Sequence, residues 1–347
     1  MERFAECLRA TLFVTQGYVA LKQASVAPTT GSGASSSTES TPRPLFGNVP
    51  YGIDLYHCTL NGMVALTFDD GPYVYTPALL DTLASNNVKA TFFVVGDNGG
   101  KGQIQDPSTG YPAIIRRMVA EGHQVGSHTW GHPDLATITA EQRREQMIMN
   151  EIALVDILGY FPTYMRPPYT SWNADTLTEL GELGYHVFNY DIDTRDWAGD
   201  YGYAQSVYTS TLSQNSPASS SWISLEHDIQ EQTVSWFAQY MIDQARSLGY
   251  RLTTLGECLG DPAVNWYRDP VTAVLAGSYV VKHRTSSVGL RGCIVQLIGA
   301  GRTFADTSPE REIRSRDITP RQTWVLADRL VPHDNDNIGA GCNRRTP

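Results

Sequence analysis

Two adjacent carboxylates, Asp69 and Asp70, close the apolar run MVALTF, and Gly71-Pro72 follows at once. Like charges side by side repel, so a strand end that tolerates both calls for a cation. Further along, SHTWGHPDL supplies His128 and His132. At i and i+4 on a helical turn two imidazoles share a face and can meet one ion. Two histidines and one carboxylate leave positions open for water and substrate, which is the catalytic zinc pattern rather than the structural one.

Three later segments carry further chemistry. In MRPPYTSW, Arg166 is followed by two prolines that stiffen the loop and remove two backbone donors. Tyr169 is the first residue after them with an N–H, so it can supply a rigid donor to an oxyanion. Arg166 can orient a carboxylate through its planar fork. NYDIDTRDW brings Asp191, Asp193, Asp196 and Trp197, with Asp191 and Asp193 on one strand face. SLEHDI ends an apolar strand with His227, and Leu225 shares its face. A nearby aspartate would raise the pKa of His227 and make it a usable acid.

Elements of two kinds must position these groups. From about Pro50, strand-like runs (MVALTF, KATFFVVG, HQVGSHT, TYMRPPY, YHVFNYDID, WISLEHDI, YRLTTLGECL) alternate with helix-like runs (TPALLDTLASNNV, PAIIRRMVAEG, ITAEQRREQMIMNEIALVDILG, ADTLTELGELG, VSWFAQYMIDQARSLG). Thr139 and Gln142 have the spacing of an N-terminal capping box. Alternation of this kind predicts parallel strands joined by helical crossovers. About seven such units predict an α/β fold that closes, or nearly closes, a (β/α) barrel, with chemistry at the C-terminal strand ends.

Composition narrows the partners. The net charge is −10 over 347 residues, and nucleic acid or an anionic membrane needs a basic face instead. No run of about 18 apolar residues exists to cross a bilayer. The stretch 24–46 is rich in Ser, Thr, Gly and Pro and reads as a linker, so residues 1–49 are expected to form an extension. Within it, Arg9 and a short apolar patch resemble an incomplete secretory signal. Residues 263–347 lack a sustained period and are expected to be a poorly ordered appendage, leaving 50–262 as the functional domain. Of five cysteines, Cys58 and Cys258 flank that domain. A bridge between them would tie its start to its end and imply an oxidising compartment; two buried thiols are the alternative.

In this order TFDDGP, HTWGH, RPPY, DTRDW and LEHD resemble the five motifs of the NodB-like polysaccharide deacetylases, carbohydrate esterase family 4. GECLGDPAVNWYRDP and the placement of the two cysteines look like the fungal chitin deacetylases. The resemblance implies a distorted (β/α) barrel, a divalent metal (Zn2+, with Co2+ as the alternative), and hydrolysis of N-acetyl groups from chitin or chitin oligosaccharides. It implies Asp70, His128 and His132 as metal ligands and Asp69 as the base that takes a proton from the attacking water. Arg166 would orient Asp69, the Tyr169 N–H would meet the oxyanion, and His227 would protonate the departing amine. Asp193, with Asp191 as rival, would hold His227 charged, and Trp197 and Leu225 would wall the acetyl pocket. The expected protein is a monomer, secreted or in the cell wall.

Two other functions compete. An O-acetyl esterase on xylan would use the same site, with less need for His227 because an alkoxide leaves more easily. A silent polysaccharide-binding protein would have lost the base, the ligands or the acid, all of which this sequence retains.

Overall fold

The computed structural model describes residues 37–97 and 99–273, together with two later strands, Val280–His283 and Val295–Ile298. Strand β1 (Asp54–Leu55) is followed by β2 (Met63–Asp69). On β2, period-two alternation sorts side chains to opposite faces. Val64, Leu66 and Phe68 enter the apolar layer shared with the helices, and Ala65 enters a separate cluster with Phe93, Tyr164 and Ile223. Asp69 therefore ends the inner row.

The other strands are β3 (Thr91–Val94), β4 (Gln124–Ser127), β5 (Phe161–Pro162), β6 (Tyr164–Met165), β7 (His186–Phe188), β8 (Ile192–Asp193), β9 (Trp222–His227), β10 (Arg251–Thr253) and β11 (Tyr267–Arg268). The main sheet runs β1-β7-β6-β4-β3-β2-β9-β8, and every pairing is parallel. Strand β10 pairs with residues 63–65 of β2 and β3 with residues 67–69, so one edge of β2 is shared end to end. Strands β5 and β11 form a small antiparallel pair outside the sheet.

The helices are α1 (Thr76–Ser85), α2 (Tyr111–Ala120), α3 (Ala140–Leu158), α4 (Ala174–Glu182), α5 (Tyr201–Leu212), α6 (Ala238–Ser247) and the short α7 (Leu255–Cys258). Thr139 and Gln142 form the expected reciprocal cap on α3. Buried Asn150 of that helix donates to Val94 O (3.0 Å) and Ser127 Oγ (2.8 Å), fixing the ends of β3 and β4.

The architecture is the expected distorted barrel, an α/β sheet curled into a half-barrel, but three elements differ from the sequence reading. YHVFNYDID is two strands, not one: β7 lies between β1 and β6 near one end of the sheet, and β8 is the edge strand at the other. Between them, Asn189 N bonds Leu55 O (2.8 Å) and Asp191 N bonds Ile223 O (2.9 Å), so residues 189–191 bridge the open seam. Helix α5 is not among the expected elements because YGYAQSVYTSTL carries Gly, Ser, Thr and Val, poor helix formers that its buried Tyr201, Ala204, Tyr208 and Leu212 override. The last expected strand is a three-residue β10 running into α7.

Packing also passes the expected boundaries at 49 and 262. Thr38 is buried, and Arg43 Nη1 and Nη2 donate to Glu151 of α3 at 2.7 and 2.8 Å. Arg268 is fully buried and Trp266 nearly so. The first compact unit runs to Ser278. Charge pairing docks the end of the Ser/Thr/Pro-rich stretch, which composition alone could not reveal. Residues 1–36 and most of 274–347 lie outside the described residues; Val280–His283 and Val295–Ile298 pair antiparallel in a second unit. Cys58 and Cys258 form the anticipated disulfide, with Cα atoms 5.1 Å apart.

Candidate active site

Register places the chemistry. Asp69 of β2 lies directly beside His227 of β9 at the C-terminal ends of neighbouring strands, on the inner face. Asp70 then leaves the strand with φ 75°, a left-handed conformation aspartate tolerates, so successive carboxylates both reach the site. Gly71 admits no substitute here: a Cβ would collide with the buried Asp228 carboxylate, which accepts from Thr76 Oγ1 (2.6 Å).

Asp70 Oδ1 is 3.5 Å from His128 Nε2 and 3.1 Å from His132 Nε2. The three ligand atoms lie within 4.8 Å of one another. Asp70 Oδ1 is buried with no hydrogen-bond partner among the described residues. Burial would raise the Asp70 pKa, but the His132 hydrogen bond and the nearby His128 and His227 hold it well below the carboxylate range. Burial lowers the pKa of His128, which favours the neutral imidazole. Its Nδ1–H donates to Arg166 O (2.7 Å), which leaves Nε2 free to ligate. An ionised carboxylate with an orphaned oxygen and two imidazole nitrogens together fit a metal ion.

The histidines do not sit on a helical turn as their spacing suggested. His128 immediately follows β4, and His132 lies in a loop with left-handed φ at Thr129 (69°) and His132 (56°). Thr129 Oγ1 accepts from His132 N (3.1 Å) and holds that loop.

Arg166 is wholly buried over the Phe93 ring, 4.5 Å from its centroid. Its Nη1 donates to Asp69 Oδ1 (2.9 Å) and Thr67 Oγ1 (2.7 Å), and its Nη2 to Asn189 O (2.7 Å). Asp69 is thereby held by one oxygen, while its Oδ2 lies 3.8 Å from His128 Nε2. Thr67 and Asn189 had drawn no attention in the sequence; only Thr67, two residues before Asp69 on the same face, carried a signal.

Tyr169 is exposed, with φ 57° and ψ 11°, and its ring stands edge-on to His132 with centroids 4.6 Å apart. Trp197 is also exposed, with Arg195 over its ring at 5.3 Å, whereas Leu225 is buried.

The partner of His227 is Asp196, not Asp193 or Asp191. Asp196 Oδ1 is 2.7 Å from His227 Nδ1, and Oδ2 accepts from His227 N (2.8 Å). Asp193 caps its own turn by accepting from Arg195 N (2.9 Å), and Asp191 accepts from Ile223 N (2.9 Å) and pairs with exposed His57. Strand alternation, which puts Asp191 and Asp193 on one face, ends at residue 193; left-handed Arg195 (φ 52°) turns the chain back so that Asp196 faces the site. Burial opposes protonation of His227, but the Asp196 hydrogen bond and charge, with Asp69 and Asp70 behind them, push it up to about 9. Glu226, on the outer face of β9, points away from the site into the apolar layer, and burial pushes its carboxyl well above the usual range.

Known proteins share this arrangement of sequence. The polysaccharide deacetylase profile matches residues 57–188. A chitin deacetylase of Pestalotiopsis sp is 47% identical over 235 residues, 68% of this chain and 76% of that protein. One from Colletotrichum lindemuthianum is 45% identical over 225 residues, 63% of this chain and 88% of that protein. The solved structure of the chitin deacetylase from that fungus aligns with TM-score 0.61 over 64% of this chain and 97% of that chain. With close identity running over most of such relatives' length, the chain belongs to the polysaccharide deacetylase family.

Proposed function

We propose that the protein hydrolyses the N-acetyl groups of N-acetylglucosamine units in chitin or chitin oligosaccharides, giving free amines and acetate. The observation that supports this most is the adjacency of an arginine-held carboxylate, Asp69, to the Asp70–His128–His132 cluster, with the His227–Asp196 pair on the next strand. Asp70, His128 and His132 would hold a divalent cation, Zn2+ before Co2+ given two nitrogens and one oxygen. Bound there, the ion supplies Lewis acidity, polarising the acetyl carbonyl and acidifying a water.

The chain's own residues do the rest. Asp69 takes a proton from the water as its oxygen adds to the acetyl carbon. Arg166 holds one Asp69 oxygen and leaves the other facing the site. The Tyr169 N–H, on a loop stiffened by Pro167 and Pro168, donates to the developing oxyanion. With Nδ1–H given to Asp196, His227 presents Nε2–H to the departing nitrogen, the C–N bond breaks, and acetate and amine leave. An amine is a poor leaving group unless protonated, which is why a separate acid stands on the strand next to the base. Trp197 and Leu225 flank the acid and wall the acetyl methyl. The Cys58–Cys258 disulfide supports a secreted or cell-wall location for a protein acting as a monomer.

Acetate release from chitin oligosaccharides, compared with acetylated xylan, tests this reading. Chelator should abolish release and zinc restore it. Turnover of xylan in preference to chitin would replace the N-deacetylase reading by an esterase, and full activity in chelator would remove the metal from it.

A further inference from the structure

We propose that Thr233 and Tyr201 are positioning residues for the acid: a one-way hydrogen-bond relay from Tyr201 through Thr233 locks Asp196 against His227. The proposal rests on the deacetylase reading above, with His227 as the acid.

The Asp196 carboxylate is fully buried and its hydrogen-bonding capacity is filled. Oδ1 meets His227 Nδ1 and accepts from Trp197 N (2.9 Å); Oδ2 accepts from His227 N and from Thr233 Oγ1 (2.6 Å). Two oxygens offer about four lone-pair positions, so none is spare. Three of these donors are on Asp196's own loop or on His227 itself. Thr233 is the one that reaches in from another element.

The direction of the relay follows from proton count. Thr233 has a single hydroxyl proton, and a carboxylate can only accept, so that proton lies toward Asp196. Tyr201 OH, 2.8 Å from Thr233 Oγ1, must then be the donor in that contact. Burial raises the Tyr201 pKa, in keeping with a phenol that holds its proton. Both links are enclosed, Thr233 completely and Tyr201 nearly so.

Each link answers a local problem. A helical threonine hydroxyl readily turns back to bond a carbonyl one turn earlier. Occupying the Thr233 oxygen with the Tyr201 proton opposes that turn and aims the hydroxyl at Asp196. Thr233 also opens a π turn, Thr233–Phe237, in which Ala238 N bonds back to Thr233 O; such turns are rare and concentrate near functional sites. Tyr201 comes from the first turn of α5, which leaves the same loop that carries Asp196. The acid's orienting carboxylate is thus held by Thr233, itself backed by Tyr201, as well as by its own loop and His227.

The test uses the zinc-loaded full chain and four proteins: wild type, Thr233→Val, Thr233→Ser and Tyr201→Phe. Each is assayed on a chitin oligosaccharide, whose amine must be protonated to leave, and on an aryl acetate, whose phenolate need not be. Thr233→Val should lose about tenfold or more in kcat on the amide and little on the ester, because only the amide draws on the acid. Thr233→Ser should restore most of that loss, and Tyr201→Phe should fall between. In NMR of the resting protein, the His227 Nδ1 proton should be resolved in wild type and Thr233→Ser and broadened or shifted in Thr233→Val. Equal losses on amide and ester, with serine no better than valine, would reduce the pair to a packing role and overturn the proposal. So would an unchanged His227 proton signal in Thr233→Val. If the wild type released no acetate, the deacetylase reading would fail by itself, and the proton signal would still decide the relay.

Discussion

Residue by residue, the site is a set of charges, each with its own companions. Asp69 has Arg166, Asp70 has two histidines, and His227 has Asp196. Most were legible in the sequence because their motifs put unusual residue types at strand ends. Asp196 is absent from the expectation for the partner of His227, which named Asp193 with Asp191 as rival; a period-two argument stops where the strand stops, and the one local sign of Asp196 is its place just before Trp197. His227, raised to about 9, keeps its proton below that pH. Its contribution to stability is complete below the ordinary histidine value of about 6.5 and is lost as pH rises through about 9. Activity on amides should therefore decline as pH climbs toward that value. In Asp196→Asn the alkaline limb should move down toward the ordinary histidine pKa, with amide turnover reduced about 10- to 100-fold at mildly alkaline pH. A pH–rate profile checks this, and an alkaline limb that does not move would remove Asp196 from its role.

Elements fix how these companions meet. The β2–β9 register sets Asp69 beside His227, and the crossing at 189–191 gives Arg166 its third anchor, Asn189 O. Neither was readable beforehand, because YHVFNYDID has the composition of a single strand. Only three-dimensional pairing reveals that its halves lie toward opposite ends of the sheet. The segment 37–46 shows the same limit: nothing in a Ser/Thr/Pro-rich run announces that Arg43 will neutralise Glu151, whose side chain is fully buried. Breaking a buried pair from one side strands a charge. Arg43→Gln should thus destabilise the protein by about 3–5 kcal/mol, read as a lower urea midpoint at unchanged slope. A midpoint equal to wild type would mean that the segment is not part of the folded body.

At the scale of the whole chain, the alternation of strands and helices was enough to foresee a parallel α/β barrel with its chemistry at one end. It was not enough to foresee where the sheet stays open, since closure depends on strand edges rather than on composition. The Cys58–Cys258 bridge spans a separation of 200 residues and links the segment before β2 to α7. Loop-closure entropy assigns so long a loop about 5 kcal/mol of stability. Reduction should therefore lower the thermal midpoint while leaving the parallel sheet's circular dichroism intact at room temperature. An unchanged midpoint after complete reduction would show that the apolar clusters hold these termini without it.

In the mechanism proposed, Asp69 is a base standing beside the Asp70–His128–His132 ligand set without itself contributing a ligand. Acetate release from a chitin oligosaccharide, measured for wild type and Asp69→Asn at matched zinc content, tests it most directly. The account predicts one zinc per chain in both proteins and acetate from the wild type alone. Substantial acetate from zinc-loaded Asp69→Asn, or loss of its zinc, would contradict it.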